Sequence, residues 1–301
     1  MIDVSIIIAN YNTASFLRDC LRSVHLHTEG LTFEVIVVDD YSSGVYGGMG
    51  VIAKEFPQTE IIFNQRNLGY AESNNIGFAL ATGKYVLLLN PDTLLMDNAI
   101  GKLFKFMENH DRVYACGAQL LNRDGSWQVS AGRFPALAQA CADAMFLNDI
   151  FPRANIPCRA EKKRDCTHKV DYVSGADLFI RRDAAPMLFD SRIFDTYSED
   201  LDFGYRMRDG YAYIVTDAKI VHFGGGSFSG ADGVKKRLKL INSGYHRFLV
   251  KHHGHLYSLI WRTLMAWHYS VKTAFYLVKQ KDRIPFGFNM VKYLLFPKGG
   301  R

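Results

Sequence analysis

The segment YVLLLNPDT at residues 85–93 constrains the fold more than any other part of the chain. Its apolar run is typical of a strand buried on both faces, as in a parallel sheet that is covered by helices. The run ends at Asn90, Pro91 and Asp92, and Pro91 stops the strand because it has no N–H to donate. Ligands of open α/β sheets bind at the carboxyl ends of such strands. The segment therefore predicts either a polar binding site at a strand end or an ordinary Asn-Pro turn.

Segments of strand and helix character alternate along the first 120 residues. This alternation predicts an α/β fold with a doubly wound, mostly parallel sheet. Apolar runs predict further strands at residues 4–9, 34–38, 60–63 and 113–118. Apolar residues at helical spacing predict helices at residues 15–24, 71–81 and 98–110.

The pattern is less regular after residue 120, and residues 121–169 are predicted to be largely irregular. The features predicted beyond residue 120 are, in chain order, a turn at 123–126, an exposed charged loop at 159–165, a strand at 172–182, a helix at 199–209, short strands at 212–215 and 219–222, and a flexible glycine loop at 224–227. Thr196 and Glu199 have the spacing of a capping box at the start of that helix, and Gly210 stands where a C′ glycine would end it.

Composition restricts the class of protein. The chain has 301 residues, of which 48% are hydrophobic and 22% charged, as in ordinary globular proteins. No basic segment precedes the first apolar run, so we expect no cleaved signal peptide. The five cysteines are odd in number and form no CxxC pair, which predicts free thiols in a reducing compartment and disfavours a zinc site.

Basic residues are concentrated in the last part of the chain. Residues 235–301 contain 14 Lys and Arg but a single acid, Asp282, whereas residues 1–234 contain 22 Lys and Arg and 29 acids. This asymmetry predicts an anionic partner, either nucleic acid or an acidic membrane leaflet.

Apolar residues recur at helical spacing over residues 256–279 and predict a helix there. Arg262, Lys272 and Lys279 interrupt the run, which makes it too charged for a membrane span. An amphipathic helix in the headgroup region is predicted, with Trp261 and Trp267 near the interface. The alternative is a C-terminal helix that is packed on the core with a solvated basic face.

Seven segments occur in a consistent order over about residues 3–230: VSIIIANYN, EVIVVDDYSSG, NQRNLGYAESNNIG, YVLLLNPDT, VSGADLFIRR, YSEDLDFGYRMRDGY and KIVHFGGGS. Together they resemble glycosyltransferase family 2, the inverting nucleotide-sugar transferases with a GT-A fold, and most closely its bacterial rhamnosyltransferase-like members. The resemblance implies a GT-A catalytic domain at 1–234, with a nucleotide-sugar half at about 1–120 and an acceptor half at about 121–234. The basic, amphipathic region 235–301 then forms a helical C-terminal extension.

The resemblance implies a divalent cation, Mn²⁺ or Mg²⁺, at the diphosphate of the donor. Asp92 and His222 are its expected protein ligands, and hard oxygen ligands suit either ion. The family has an Asp-x-Asp motif at this strand end, and Asn90 replaces its first acid here. An amide oxygen can coordinate a cation or bind a ribose hydroxyl, but the site loses one negative charge.

Further polar residues are expected to face the nucleotide by the same resemblance. They are Asn10, Tyr11, Asp39, Asn67 and Asn75, with Asn12 and Asn74 beside them. Tyr11 is expected to stack on the base. A structural alternative stands for the others, because Asn and Asp side chains also hold turns and begin helices, and Asp40 could equally do so beside Asp39.

Asp200 is the expected catalytic base, because the aspartate of the family's Glu-Asp pair takes the proton from the acceptor hydroxyl. Inverting transfer needs one such carboxylate. Glu199 and Asp202 are explained by the helix dipole, which favours acids in a first turn. Asp177 either contacts a sugar or pairs with Arg181 or Arg182, and the sequence does not decide between these.

The expected function is transfer of a hexose or deoxyhexose from a nucleoside diphosphate sugar, with dTDP-rhamnose suggested by the similarity. The expected acceptor is a hydroxyl of a glycan or of a polyprenyl-linked glycan in bacterial surface polysaccharide synthesis. The protein is expected in the cytoplasm, bound peripherally through its C-terminal region to the anionic inner face of the membrane. The alternative function is a non-catalytic nucleotide-sugar-binding subunit.

Two other classes are disfavoured. A dinucleotide-dependent dehydrogenase needs a GxGxxG loop after the first strand, where this chain has Asn10, Tyr11, Asn12 and Thr13. A nucleic-acid-binding protein would use the basic tail but would leave the acidic strand ends unexplained, so no nucleic-acid partner is expected.

Overall fold

The computed structural model describes residues 1–43, 48–151, 165–224 and 230–297. The chain forms two compact units, one of Met1–Gly132 with Glu161–Ser227 and one of Arg133–Ala160 with Phe228–Arg301. The expected boundary between residues 234 and 235 stays a prediction, because these units follow the packing of the chain and not its activity. The loop predicted at 159–165 and the glycine loop at 224–227 lie almost wholly outside the described residues.

The first unit contains all the strands among the described residues. They are β1 (Val4–Asn10), β2 (Phe33–Asp39), β3 (Glu60–Phe63), β4 (Tyr85–Leu89), β5 (Thr93–Leu95), β6 (Val113–Leu121), β7 (Ala131–Gly132), β8 (His168–Val170), β9 (Tyr172–Val173), β10 (Asp177–Arg181) and β11 (Tyr211–His222). The described helices of both units are α1 (Ala14–His27), α2 (Met49–Glu55), α3 (Tyr70–Leu80), α4 (Ala99–Glu108), α5 (Leu137–Ala144), α6 (Leu147–Ile150), α7 (Glu199–Arg206), α8 (Gly230–His253), α9 (His255–Lys279) and α10 (Ile284–Leu295).

The main sheet has the strand order β3-β2-β1-β4-β10-β6-β11-β5, and β8 pairs with β11. Strands β1 to β4 run parallel, and β6 runs parallel to β11. Strand β10 lies antiparallel between β4 and β6. The predicted α/β class is therefore confirmed, and the carboxyl ends of β1, β2 and β4 lie at one edge of the sheet.

Helices cover both faces of this sheet, which explains the continuous apolar runs. Along β1, Val4, Ile6 and Ile8 join one core cluster together with residues of α1, α2 and α4. Ile7, between them in sequence, points to the other face and joins the cluster that contains Ala71 of α3. Because successive residues of a strand face opposite sides, a strand covered on both faces is apolar at most positions and not only at alternate ones.

Several local predictions were wrong. Helix α7 begins without a side-chain cap at Ser198, so the capping box from Thr196 does not form, and it ends at Arg206 before Gly210. The strand expected at 172–182 is divided into β9 and β10, and the two short strands at 212–222 are one strand with an irregularity after Val215. The region expected to be irregular contains β7, α5 and α6. These local signals were overridden by tertiary packing.

The turn predicted at 123–126 is confirmed. Asn122 accepts a hydrogen bond from the N–H of Gly125, and Gly125 adopts a left-handed φ of 77°. Four cysteines, Cys20, Cys116, Cys141 and Cys166, are free thiols as expected, while Cys158 lies outside the described residues.

The second unit is helical over its described residues. Helix α9 packs against α5, α8 and α10. A 3-10 turn at Lys281–Arg283 leads into α10. Within the part of the chain that the structure describes, no helix combines the length and the apolar character that a membrane span requires.

Gly77 of α3 tests how closely the helices pack on the sheet. A Cβ at this position would lie 2.5 Å from Cγ2 of the buried Ile7. We expect Gly77→Ala to lower the free energy of unfolding by about 1–3 kcal/mol, the usual cost of overpacking. Gly50→Ala in α2, where a Cβ would meet nothing within 4 Å, is the matched control. This control should raise the free energy of unfolding by about 0.5–1 kcal/mol, and urea denaturation measures both variants. A Gly77→Ala protein as stable as the control would contradict this packing.

Candidate functional site

Asn10 and Asp39 end two neighbouring parallel strands and are register partners. The Asn10 amide donates to Asp39 Oδ1 at 2.6 Å, and both side chains are buried. The Asp39 carboxylate also accepts hydrogen bonds from the backbone N–H and the hydroxyl of Ser42. Asp39 therefore holds the turn after β2, and Asn10 couples that turn to β1.

Tyr11 and Asn12 follow directly after β1. The Tyr11 side chain is 44% exposed, so its ring has a face available for stacking. Asn12 has a left-handed φ of 56°, and its side chain accepts hydrogen bonds from the N–H and hydroxyl of Ser43. Tyr41, after β2, also has a left-handed φ, of 65°. The backbone is thus strained after both strand ends, as is common in binding sites.

Asp40, the neighbour of Asp39, holds a different turn. Its carboxylate accepts hydrogen bonds from the N–H groups of Leu68 and Gly69, at 2.7 and 2.9 Å. Asn67 makes only a long contact, 3.5 Å from its amide nitrogen to the Asp40 carbonyl oxygen. Asp40 and not Asn67 therefore fixes the turn at 67–69.

The two asparagines of α3 have partners within the protein. The Asn75 amide donates to the Phe189 carbonyl oxygen at 2.9 Å and accepts from the Phe189 N–H at 3.0 Å. The buried Asn74 donates to the carbonyl oxygen of Tyr70. Asn75 therefore ties α3 to the segment around residue 189, and its contact with a nucleotide stays a prediction.

Asn90, Asp92 and His222 lie together, although 130 residues separate the histidine from Asp92 in the sequence. Pairing of β5 with β11 sets Thr93 opposite His222. His222 Nε2 lies 3.3 Å from Asp92 Oδ1 and 3.4 Å from the Asn90 amide nitrogen. On its other side, His222 Nδ1 lies 2.8 Å from Oε1 of Gln128, a residue that the sequence did not single out.

This cluster offers two cation ligands that lie close together. Two atoms about 2.1 Å from one Mg²⁺, at neighbouring corners of its coordination shell, are about 3 Å apart. The separation of 3.3 Å between Asp92 Oδ1 and His222 Nε2 fits this geometry. Among the described residues, no group of three or more His, Cys, Asp or Glu side chains could hold a metal. A cation at Asp92 and His222 must therefore take its other ligands from a substrate, from water or from the Asn90 amide.

Asp200 lies in the first turn of α7. Its carboxylate accepts hydrogen bonds from the N–H groups of Gly175, at 3.1 Å, and Leu201, at 2.7 Å. Burial nevertheless raises the pKa of Asp200 above its ordinary value. The two residues before the helix, Tyr197 and Ser198, both have left-handed φ angles, of 69° and 74°. A strained entry thus presents a carboxylate that binds a proton more readily than usual.

The segment 174–176 contacts both Asp200 and the strand end that contains Asn90 and Asp92. Its Ala176 carbonyl oxygen accepts from the Asn90 N–H at 2.9 Å, while Gly175 donates to Asp200. The buried Tyr70 hydroxyl donates to the Gly175 carbonyl oxygen at 2.6 Å. Burial and the nearby acids Glu199 and Asp200 raise the pKa of Tyr70 well above its ordinary value, so it stays a donor. No local sequence pattern indicates this role of Tyr70, because its partner is 105 residues away.

The remaining acids have structural partners. Asp202 is buried and forms an ion pair with Arg206 one turn later in α7, at 3.0 Å. Asp177 is buried and accepts a hydrogen bond from the N–H of Ala118 at 2.6 Å, which joins β10 to β6. Arg181 donates to the Val113 carbonyl oxygen at 3.0 Å, and also to Tyr85, Met107 and His110. The expected helix role of Asp202 agrees with its position, and Asp177 has a structural contact.

Comparison with known sequences identifies the family of this chain. A sequence profile described as Glycosyl transferase family 2 matches residues 5–187, which is more than half of the chain. An uncharacterized glycosyltransferase of Rickettsia felis is 29% identical over 150 residues, which are 47% of this chain and 25% of that protein. The chain thus spans about a quarter of the length of that relative. The N-acetylglucosaminyl-diphospho-decaprenol L-rhamnosyltransferase of Mycobacterium tuberculosis is 27% identical over 240 residues, 74% of this chain and 76% of that protein.

Solved structures share the fold. The crystal structure of GalNAc-T7 with UDP, GalNAc and Mn²⁺ has a TM-score of 0.61 at 14% identity, covering 98% of this chain and 56% of that chain. The crystal structure of S. aureus TarS 1–349 in complex with UDP-GlcNAc has a TM-score of 0.54 at 13% identity, covering 98% of this chain and 81% of that chain. At such identities the likeness shows the fold alone, and the predicted GT-A fold is confirmed.

Proposed function

The chain belongs to glycosyl transferase family 2, and on this basis we propose that it transfers a sugar from a nucleoside diphosphate sugar to an acceptor hydroxyl, with inversion at the anomeric carbon. The observation that carries the proposal is the arrangement around segment 174–176. Asp200, a carboxylate of raised pKa, accepts a hydrogen bond from Gly175 of this segment. The proposed cation ligands Asp92 and His222 lie beside Asn90, whose N–H donates to Ala176 of the same segment.

The donor nucleotide is proposed to lie over the ends of β1, β2 and β4. Tyr11 offers its exposed ring to the base. Asn10 and Asp39 act on the nucleoside from the strand ends, while Asn67 borders it from the turn that Asp40 holds. The diphosphate lies at Asn90, Asp92 and His222.

Asp92 and His222 are proposed to hold Mn²⁺ or Mg²⁺ together with oxygens of the diphosphate. A bound cation supplies positive charge against the negative charge that grows on the leaving diphosphate. Only one carboxylate ligates in this scheme, and the diphosphate brings further negatively charged oxygens. A site of few protein ligands is normal for Mg²⁺, which is commonly bound through one or two carboxylates and substrate phosphates.

Asp200 is proposed to take the proton from the acceptor hydroxyl while that oxygen attacks the anomeric carbon. A raised pKa makes the carboxylate a stronger base, which favours proton removal near neutral pH. The N–H groups of Gly175 and Leu201 hold the carboxylate in one orientation. No second acid is required, because the diphosphate leaves as an anion.

One observation favours a second candidate function, a non-catalytic nucleotide-sugar-binding subunit. Asn90 stands where the family has an acid, so the cation site has one negative charge fewer. Transfer or donor hydrolysis by the purified protein distinguishes the two functions, since a binding subunit would show neither.

The proposed acceptor is a glycan on a polyprenyl diphosphate, and the proposed donor sugar is a deoxyhexose such as the rhamnose of dTDP-rhamnose. The Mycobacterium tuberculosis relative is by name a rhamnosyltransferase that acts on a decaprenol-linked sugar, and it matches most of both chains. An acceptor of this kind is embedded in a membrane, so the enzyme needs a surface that binds lipid. The reaction would serve synthesis of a bacterial surface polysaccharide on the cytoplasmic face.

Helix α9 is proposed to provide that surface, because none of its exposed residues between 255 and 277, the part whose side chains the structure describes, is a Lys, Arg, Asp or Glu. The exposed residues recur at helical spacing and are His255, Leu256, Leu259, Ile260, Thr263, Trp267, Ser270, Ala274, Phe275 and Leu277. The charges expected on the outer face are turned towards the unit itself. Arg262 donates to the carbonyl oxygens of Leu294 and Leu295, and Lys272 pairs with Asp149. Trp267 is 60% exposed, but Trp261 is buried, so the interfacial position expected for Trp261 was wrong.

The basic residues that favour an anionic leaflet lie on α8. Lys235, Lys236, Arg237 and Lys239 are all exposed in its first turns. Each basic residue near an anionic surface contributes about 1 kcal/mol of attraction. A second copy of this unit would carry the same basic residues, and the two copies would repel each other. An anionic bilayer is therefore favoured over a second copy as the occupant of the apolar stripe.

Asp200→Asn tests the base assignment. We expect it to lower kcat by about 10²–10⁴-fold, the usual contribution of a general base, with donor affinity within about threefold of the wild type. The exposed Asp183→Asn is the matched control and should leave kcat unchanged. Because Asp200 must be deprotonated to act, its raised pKa moves the acid limb of kcat/KM to higher pH than the ordinary aspartate value of about 3.9. Equal turnover of Asp200→Asn and wild type would falsify the assignment.

Leu259→Ser/Trp267→Ser tests the membrane surface. Two exposed apolar side chains no longer enter the interface, so we expect binding to vesicles of phosphatidylglycerol to weaken at least about tenfold in co-sedimentation. Leu26→Ser/Val51→Ser, at exposed positions of the first unit, is the control and should bind like the wild type. Point changes are preferable to truncation near residue 255, which would remove a helix that packs on α5, α8 and α10. Unaltered vesicle binding of the α9 variant would rule out the stripe as the contact.

A further inference from the structure

We propose that Gln128 is a positioning residue that keeps a hydrogen on Nδ1 of His222, so that Nε2 is the ring nitrogen that faces Asp92 and the proposed cation site. The inference rests on the proposed function in one respect, because the proposed function places a cation where His222 Nε2 can bind it. The tautomer itself follows from hydrogen bonds within the chain. Each amide orientation in the network can be fixed from a carbonyl oxygen, which only accepts.

The network begins at Asn122, at the end of β6. Its amide nitrogen lies 3.2 Å from the Trp127 carbonyl oxygen and 2.9 Å from the Ser126 hydroxyl. Because the backbone oxygen only accepts, this side of the Asn122 amide must be the NH₂ group. Asn122 Oδ1 then faces Gln128 Nε2, at 2.9 Å, and accepts from it.

The orientation of Gln128 is fixed a second time by the histidine's own backbone. Gln128 Nε2 lies 3.1 Å from the His222 carbonyl oxygen, to which it can only donate. Two acceptors therefore place the Gln128 NH₂ group, and Oε1 must be the atom that lies 2.8 Å from His222 Nδ1. An amide oxygen accepts only, so Nδ1 carries the hydrogen.

The other ring nitrogen is the one that faces the proposed cation site. In a neutral imidazole with hydrogen on Nδ1, Nε2 has a lone pair and no hydrogen. Nε2 lies 3.3 Å from Asp92 Oδ1 and 3.4 Å from the Asn90 amide nitrogen, so a cation or a proton between Nε2 and the carboxylate relieves the repulsion of the two acceptor atoms. A metal ligand of this kind commonly has its second nitrogen hydrogen-bonded to a carbonyl or carboxylate oxygen, which fixes the ring.

Gln128 is itself held by two strands of the main sheet. Its N–H donates to the Leu120 carbonyl oxygen of β6, at 3.0 Å, and its side chain reaches the His222 backbone of β11. Leu120 and Ile220 are register partners of the parallel pair β6 and β11. The turn from 122 to 126 therefore returns the chain alongside β6, where hydrogen bonds to two strands hold Gln128 beside His222. A rigid support of this kind is what an oriented ligand requires.

Nitrogen-15 NMR of histidine in the metal-free protein tests the tautomer, with the His222 signals assigned from the loss of signals in His222→Asn. We expect wild-type His222 to carry hydrogen on Nδ1. Gln128→Met has a similar shape but offers no oxygen, and it should lose this preference. Gln128→Glu loses the NH₂ group that donates to Asn122 and to the His222 carbonyl oxygen, but it keeps an oxygen acceptor and should retain the hydrogen on Nδ1. A purely structural Gln128 would show no such difference between the two variants.

Mn²⁺ affinity, measured by electron paramagnetic resonance with UDP as the probe nucleotide, gives the second readout. We expect Gln128→Met to weaken Mn²⁺ binding by about 10–100-fold, the usual effect of losing a partner of a metal ligand. Gln128→Glu should stay within about threefold of the wild type. Thermal unfolding of each variant reports whether it folds.

The two readouts separate this inference from the proposed function. Hydrogen on Nε2 without hydrogen on Nδ1 of wild-type His222 overturns the inference whether or not Mn²⁺ binds, and it needs no variant. Unchanged tautomer and unchanged Mn²⁺ affinity in Gln128→Met also overturn it. If the wild type shows the Nδ1–H tautomer but binds no Mn²⁺ with UDP, the proposed cation site fails while the role of Gln128 in holding the tautomer stands.

Discussion

The hydrogen bonds of segment 174–176 are the constraint on which the arrangement of the site depends. Strand β10 lies antiparallel between β4 and β6, so the residues just before it lie beside the end of β4. Ala176 binds the N–H of Asn90, and Gly175 binds Asp200 and Tyr70. Because one short segment contacts all three, the cation end of the proposed donor site and the proposed base are positioned together and not by independent loops.

The acids of the site act in distinct environments. Asp39 and Asp40 accept hydrogen bonds from the turns that they hold, and Asp39 also from Asn10, so they shape the proposed nucleotide side of the site. Asp92 lies against a histidine, and burial raises the pKa of Asp200. Carboxylates that are expected in one site thus differ in chemistry because their partners differ. Asn90 lowers the negative charge beside Asp92, which makes the site depend more on His222 and on the substrate's phosphates.

Much of the first unit could be predicted from local pattern. The apolar runs of β1 and β4 and the polar residues at their ends are visible within a few residues of sequence. Gln128 and Tyr70 could not be found in this way, because their partners are 94 and 105 residues away and each is an ordinary residue in its own segment. The burial of Trp261 and the apolar side chains exposed on α9 depend on which side of the helix packs, and periodicity alone does not reveal that side.

The central claim is that the strand ends form a cation-dependent site for a nucleoside diphosphate. Isothermal titration of UDP and of dTDP into the wild type and into Asp92→Asn, each with and without Mn²⁺, measures this most directly. The account predicts that at least one of the nucleotides binds the wild type more tightly with Mn²⁺, by about tenfold or more, and that Asp92→Asn loses this gain. Binding that is equally tight without Mn²⁺, or that keeps its full Mn²⁺ dependence in Asp92→Asn, would contradict it.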